Sequence, residues 1–233
     1  MFLISDNIDT CTGMRLAGVE GVVVHERDEL KDALEKAIAD KEIGVLLLTE
    51  KFGRERGGAL FDRQAKTLDT LIENTRDKTE NQRKTLAQTI LPRIALYKAL
   101  QEDGLSEEDV TACVRSYMLE KVAAEKHAST ARMEVVPGFY ALYSRIFLKI
   151  MRTTDLQESV QEHGRDHFDV TIKRCLWHTA CVENGCAELC RLFCDVDDVT
   201  YGGLKKIGFT RTKTLGYGGD CCDFHFFRKT KNG

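Results

Sequence analysis

Hydrophobic positions along the chain change their spacing from one third to the next, and each spacing predicts a different kind of element. Near the start, "MFLIS" and "VEGVVVHE" are apolar runs of strand length. "ELKDALEKAIADK" repeats Leu30, Leu34, Ala37 and Ile38 at helical spacing. "IGVLLLTE" is a continuous apolar run, the pattern of a strand covered on both faces. Strand, helix and strand in so short a span imply a right-handed βαβ unit with parallel strands.

The stretch "KFGRERGGALFDRQAK" then mixes glycine with charge, so residues 53–75 read as a linker between one domain at 1–52 and another at 76–233. The polar run after it, "TLDTLIENTRDKTENQRKT", reads as helical. From Asn81 to Lys126 the spacing is helical throughout, with Leu86, Ile90, Ile94, Tyr97 and Leu100 in one stripe. Pro92 either starts a helix or kinks a longer one. Ser106 and Asp109 form a capping box for the next helix, whose stripe is Val110, Cys113, Val114, Tyr117 and Val122. In that stripe Cys113 reads as a small core residue. "PGFYALYSRIFLKIMR" predicts a third helix, aromatic and central to the core.

In the last third the period drops to two. Phe168, Val170 and Ile172 alternate in "HFDVTIKRC"; "KKIGFTRTKTL" and "CCDFHFFRK" alternate as further strands. Between them "HTACVENGCAELCRLFCDVD" predicts a helix running to about Cys194. The fold class that follows is α+β: a helical layer packed on a small antiparallel sheet, preceded by the βαβ unit.

Composition narrows the function. A net charge of −3 gives no electrostatic case for nucleic acid. No apolar run approaches the ~20 residues of a membrane span, and the start lacks a basic, apolar export signal, so a cytoplasmic protein without membrane insertion is expected. Nine cysteines stand out, seven of them after residue 174. Their odd number in a chain of this size argues for reduced thiols over a disulfide framework.

Cys186, Cys190 and Cys194 repeat every four residues. On a helix the outer two are about 12 Å apart along the axis, whereas sulfurs sharing one zinc must lie within about 4 Å. All three therefore cannot bind one ion, and Cys186 and Cys190 read as core. Cys194 is expected at the helix end beside Asp195, Asp197 and Asp198, where acids raise a thiol's pKa unless a cation is bound. With a cation, Cys194 and Asp197 become ligands.

"LGYGGDCCDF" places a glycine turn before a strand. Alternation there puts Asp220, Cys222 and Phe224 on one face and Cys221, Asp223 and His225 on the other, so Asp223 can pair with His225. A turn and a core strand explain the glycines and phenylalanines, but not the two acids flanking two cysteines. His178, three residues after Cys175, is the best general-base candidate. Arg211, among threonines, suits a carboxylate.

Two family resemblances sit on these motifs. "DNIDTCTGMRLAGVEGVVVHERDELKDALEKAI…IGVLLLTEKF" resembles the first half of the F subunit of V-type and archaeal-type ATP synthases, over residues 1–52. That family's continuation, a proline-marked strand and a helix reaching the rotor stalk, has no visible counterpart here. Residues 80–230 resemble the L-2-amino-thiazoline-4-carboxylic acid hydrolase family through "RIALYKALQEDGLSEEDV", "VTIKRCLWH" and "FCDVDDVTYGGLKKIGFTRTKTLGYGGDCCDF". Cys194, Asp197, Arg211, Thr212, Thr214, Gly219, Asp220, Cys222, Asp223 and Phe224 all fit its pattern.

That second resemblance implies hydrolytic opening of a cyclic isothiourea carrying a carboxylate. It implies Cys222 as nucleophile or ligand, Asp223 as acid/base and His178 as base. Arg211 and Asp220 would bind substrate. A divalent metal, zinc or manganese, on Cys194, Asp197 and Cys222 is allowed by the thiol–carboxylate mixture but not demanded by it. The closing strand is also similar to vinyl-reductase-type ligand-binding domains, which leaves a non-catalytic small-ligand sensor as an alternative. An accessory ATP synthase subunit is another. The partner expected is a small molecule, with homo-oligomerisation or docking through the N-terminal unit left open.

Overall fold

A computed structural model describes residues 1–230, with the side chains of residues 27, 50 and 52–57 left aside. The chain divides into two compact units, Met1–Arg63 and Gln64–Gly233.

In the first unit β1 (Phe2–Ser5), β2 (Glu20–Val23) and β3 (Leu46–Leu48) form a parallel sheet in the order β2-β1-β3. Alternation in β1 sends Ile4 to one face, against Leu30, Leu34 and Ala37 of α2 (Arg27–Ala39). Leu3 goes to the other face, against Cys11 of α1 (Ile8–Leu16). Helix α1 is absent from the periodicity because it is short and polar; Asn7 starts it by accepting the Thr10 N–H at 2.8 Å. The "IGVLLLTE" run supplies only a three-residue edge strand, with Val45 and Leu48 exposed, not a strand covered on both faces.

Helix α3 (Glu50–Glu73) takes in most of the glycine- and charge-rich stretch. The second unit then builds its helical layer from α4 (Glu80–Thr85), α5 (Leu91–Glu102), α6 (Glu107–Ser116), α7 (Ala124–Met133) and α8 (Phe139–Thr153). Leu86, Ile90, Ile94, Tyr97 and Leu100 are all buried, as their stripe predicts. Pro92 sits in the first turn of α5. Two π-helical segments, Leu86–Ile90 and Tyr117–Ala123, interrupt the regular ladder. In α6 and the segment after it the buried residues are Val110, Val114 and Met118, while Cys113 and Tyr117 are exposed, so Cys113 is not a core residue.

The sheet comprises β4 (Gln157–His163), β5 (His167–Cys175), β6 (Ile207–Thr210) and β7 (Cys222–Arg228), antiparallel in the order β4-β5-β7-β6. Phe168, Val170 and Ile172 of β5 and Cys222, Phe224 and Phe226 of β7 face α8, where Phe139, Leu148 and Met151 close the core. Phe168 and Phe226 stack with ring centroids 4.7 Å apart. Each buried aromatic contributes about 1.5–3 kcal/mol over an exposed one, so this layer fixes which side of β7 faces inward.

The cysteine-rich helix is two helices. Gly185, at φ +67°, ends α9 (Leu176–Glu183) in a conformation that favours glycine. A 3₁₀ turn at Ala187–Leu189 then leads into α10 (Cys190–Tyr201). Cys194 therefore lies mid-helix, one turn beyond Cys190, and not at a terminus. Asp195, Asp197 and Asp198 are helical residues.

Candidate active site

The turn in the closing hairpin docks directly on α10. A Cβ on Gly216 would sit 2.8 Å from Cys194 Sγ and 3.1 Å from the Cys190 carbonyl, closer than side chains pack, so only glycine fits. Tyr217 Oη donates to Asp195 Oδ1 at 2.8 Å, and Arg115 Nη1 approaches Asp195 Oδ2 at 2.6 Å, tying α6, α10 and the turn together. Leu215 N–H donates to Cys222 Sγ at 3.3 Å. These contacts bring Cys222 opposite Cys194.

Between them opens a cavity of about 380 Å³, lined among others by Cys222, Cys194, Asp197, Arg211 and His178. The two segments "CDVD" and "GYGGDCCDF" thus share one cavity. Five of the seven candidate residues meet there.

Asp220 and Asp223 do not line it. Asp223 accepts the Thr212 N–H at 3.0 Å and the Lys213 N–H at 2.8 Å, and so stops β6 from continuing past Thr210. Burial would raise its pKa, but these bonds and the Thr212 hydroxyl outweigh it and hold Asp223 below the ordinary range. His225 pairs across the sheet with Asp169, Nδ1 to Oδ1 at 2.6 Å, not with Asp223. Asp220 is bound to Lys213 Nζ at 2.6 Å, which lowers its pKa in solvent.

Asp197 is the carboxylate the cavity perturbs most. About a third of its side chain is exposed, and its burial among the apolar lining pushes its pKa up to about 6, against the pull of Arg211 and Lys126. The Arg211 side chain is only 8% exposed. Its Nη2 donates to the Cys194 carbonyl at 2.9 Å and to Asp198. Its buried Nη1 has no hydrogen-bond acceptor and stops 3.9 Å from Asp197 Oδ2.

The thiols are held protonated. Burial pushes Cys222 up to about 11 and Cys175 up to about 12. A hydrogen bond with Cys190, reinforced by burial, raises Cys194. Among the described residues no group of three His, Cys, Asp or Glu side chains is arranged to hold a metal ion.

Pattern reading missed several lining residues. Cys175 ends β5, Lys126 comes from α7 and Tyr201 ends α10. The hydroxyls of Tyr201 and Tyr143 are hydrogen-bonded, and burial raises both, Tyr143 to about 12. Both π segments contribute wall residues, Thr89 from one and Met118 and Val122 from the other. Such bulges are frequent at functional sites, and the regular spacing of the apolar stripes shows no sign of them.

Comparison with known families places this geometry. The model for L-2-amino-thiazoline-4-carboxylic acid hydrolase matches residues 82–226, which includes every wall of the cavity. The chain belongs to that family. A second model, ATP synthase (F/14-kDa) subunit, matches residues 1–90, so that likeness runs well past residue 52 and through α3. A search of curated proteins finds no match. Among solved structures, the Fe(II) unliganded H-NOX protein from K. algicida aligns at 11% identity over 71% of this chain and 96% of that one. Its TM-score of 0.26 supports no statement about fold or function. Among the described residues no helix is long and apolar enough to cross a membrane.

Proposed function

We propose that this family member is a hydrolase opening a cyclic amidine or isothiourea ring, such as L-2-amino-thiazoline-4-carboxylate, to a carbamoyl-cysteine, with Asp197 as the proton-transferring group. The observation that carries this is a carboxylate raised to about 6 in a cavity, beside a buried guanidinium whose Nη1 lacks an acceptor. A group poised near the working pH serves as both base and acid.

In the reaction, a water oxygen bonds to the ring carbon between sulfur and nitrogen while Asp197 takes a water proton. The carbon–sulfur bond then breaks as the carbonyl forms. One water proton ends on the ring nitrogen and the other on the departing sulfur, so the sum is one added water and a free thiol. Arg211 attracts the substrate carboxylate, and His178 is a second proton carrier on the same wall. We assign proton transfer to Asp197 rather than attack to Cys222, because a thiol raised to about 11 is almost wholly protonated at neutral pH.

The test is release of thiol from L-2-amino-thiazoline-4-carboxylate by the purified chain in the presence of a chelator. Steady turnover supports the reading; no thiol at any enzyme concentration rejects it. The match of residues 1–90 to an ATP synthase subunit favours a docking role for the N-terminal unit. Co-purification with ATP synthase subunits tests that separately.

A further inference from the structure

The cavity is far more apolar than a small ring acid requires. Phe147, Phe193, Phe224, Trp177, Met118 and Met151 all face it. Its volume of about 380 Å³ holds roughly a dozen non-hydrogen atoms, at the ~30 Å³ that each molecule of liquid water occupies. The charge on its wall is lopsided. Arg93, Lys126 and Arg211 line it, and among the described residues Asp197 is the only carboxylate that does. With Nη2 of Arg211 committed to Asp198, Arg93, Lys126 and the unpartnered Nη1 of Arg211 still outweigh Asp197 and select an anion; the aromatic wall selects a hydrocarbon body.

We propose that the natural ligand is an amphipathic monocarboxylate, its carboxylate near Arg211 and Lys126 and an aryl or branched alkyl body against Trp177 and the phenylalanines. The substrate is then an aryl- or alkyl-extended relative of the small ring acid. This rests on taking the cavity as the reaction site, but it concerns binding and not turnover.

Trp177 is the single tryptophan of the chain and lines the cavity, so the protein carries its own reporter. The experiment titrates the full chain with 4-phenylbutyrate, 4-phenylbutyramide, acetate and L-2-amino-thiazoline-4-carboxylate, reading tryptophan fluorescence and, in parallel, the thermal midpoint. Phenylbutyrate is expected to bind at least tenfold more tightly than its amide, acetate or the small ring acid. Lys126 is exposed on α7, so Lys126→Gln tests the charge without disturbing the core. It should weaken the acid several-fold and leave the amide unchanged.

Equal binding of acid and amide overturns the anion half of the proposal. Binding of acetate or the small ring acid as tight as phenylbutyrate overturns the apolar half. No response to phenylbutyrate in either readout overturns both. If phenylbutyrate binds but no ring acid is ever opened, the hydrolase reading fails and this inference stands. If the small ring acid is turned over while phenylbutyrate neither binds nor competes, the reverse holds.

Discussion

Arg211 Nη1 stops 3.9 Å from Asp197 Oδ2, beyond hydrogen-bond reach, while Nη2 of the same side chain is committed to Asp198 and the Cys194 carbonyl. The guanidinium therefore moderates Asp197 through space without neutralising it. Burial wins, and the carboxyl settles at about 6. With the positive charge removed, nothing of equal strength opposes burial. In Arg211→Gln the acidic limb of the pH–rate profile should move above its wild-type position near pH 6. A profile measured from pH 4 to 9 checks this.

Stability gives a second reading of the same carboxyl. Its folded pKa, about 6, exceeds the ordinary 3.8, so between these values the native state holds more protons than the unfolded one. Stability contributed by Asp197 then falls as pH rises through that window, and the penalty is complete above about pH 6. Asp197→Asn should melt higher than wild type at pH 7.5, and the gain should vanish near pH 4. Thermal melts at the two pH values measure it.

The thiols should be sluggish where they are buried. Cys113 is exposed on α6, whereas Cys175 and Cys222 are raised by burial to about 12 and 11. Iodoacetamide at pH 7.5 should modify Cys113 first and leave those two unmodified on the same timescale, read by peptide mass spectrometry. Cys222→Ser should keep ring-opening activity within several-fold of wild type.

Gly216 carries the junction of hairpin and helix. A methyl group there meets Cys194 Sγ at 2.8 Å and the Cys190 carbonyl at 3.1 Å. Gly216→Ala should destabilise the fold by about 1–3 kcal/mol and lower the thermal midpoint by several degrees, with loss of ligand binding in the cavity. Gly58, which has open space around it inside α3, is the control: Gly58→Ala should not lower the thermal midpoint and should leave ligand binding unchanged.

The core was legible where burial imposes a strict period. β5, β7, α5 and α8 announce themselves because one face of each is apolar. β4 did not: "QESVQEH" is an edge strand with only Val160 to mark it, and Val160 points to solvent. The extension of α10 past Cys194 was hidden by Asp195, Asp197 and Asp198, which look like a turn. They tolerate a helix because Arg115, Tyr217 and Arg211 meet two of them directly, and Arg211 stands near the third. The candidate site was legible as two segments, since Cys194, Asp197, Arg211 and Cys222 carry the family pattern. That Asp223 faces away from Cys222 was legible in the alternation of β7; that it binds Thr212 and Lys213 while His225 binds Asp169 was not, because those partners come from other segments. Lys126 and Tyr143 come from helices remote in sequence, and only tertiary packing brings them near Asp197.

Kinetics of Asp197→Asn bear most directly on a hydrolase that works through one uncharged-to-charged carboxyl between α10 and β7. Ring opening should fall by about 10²–10⁴-fold while the circular dichroism spectrum and phenylbutyrate binding persist. If the asparagine variant keeps activity within tenfold, and Cys222→Ala abolishes it instead, the chemistry belongs to the thiol and the assignment to Asp197 is wrong.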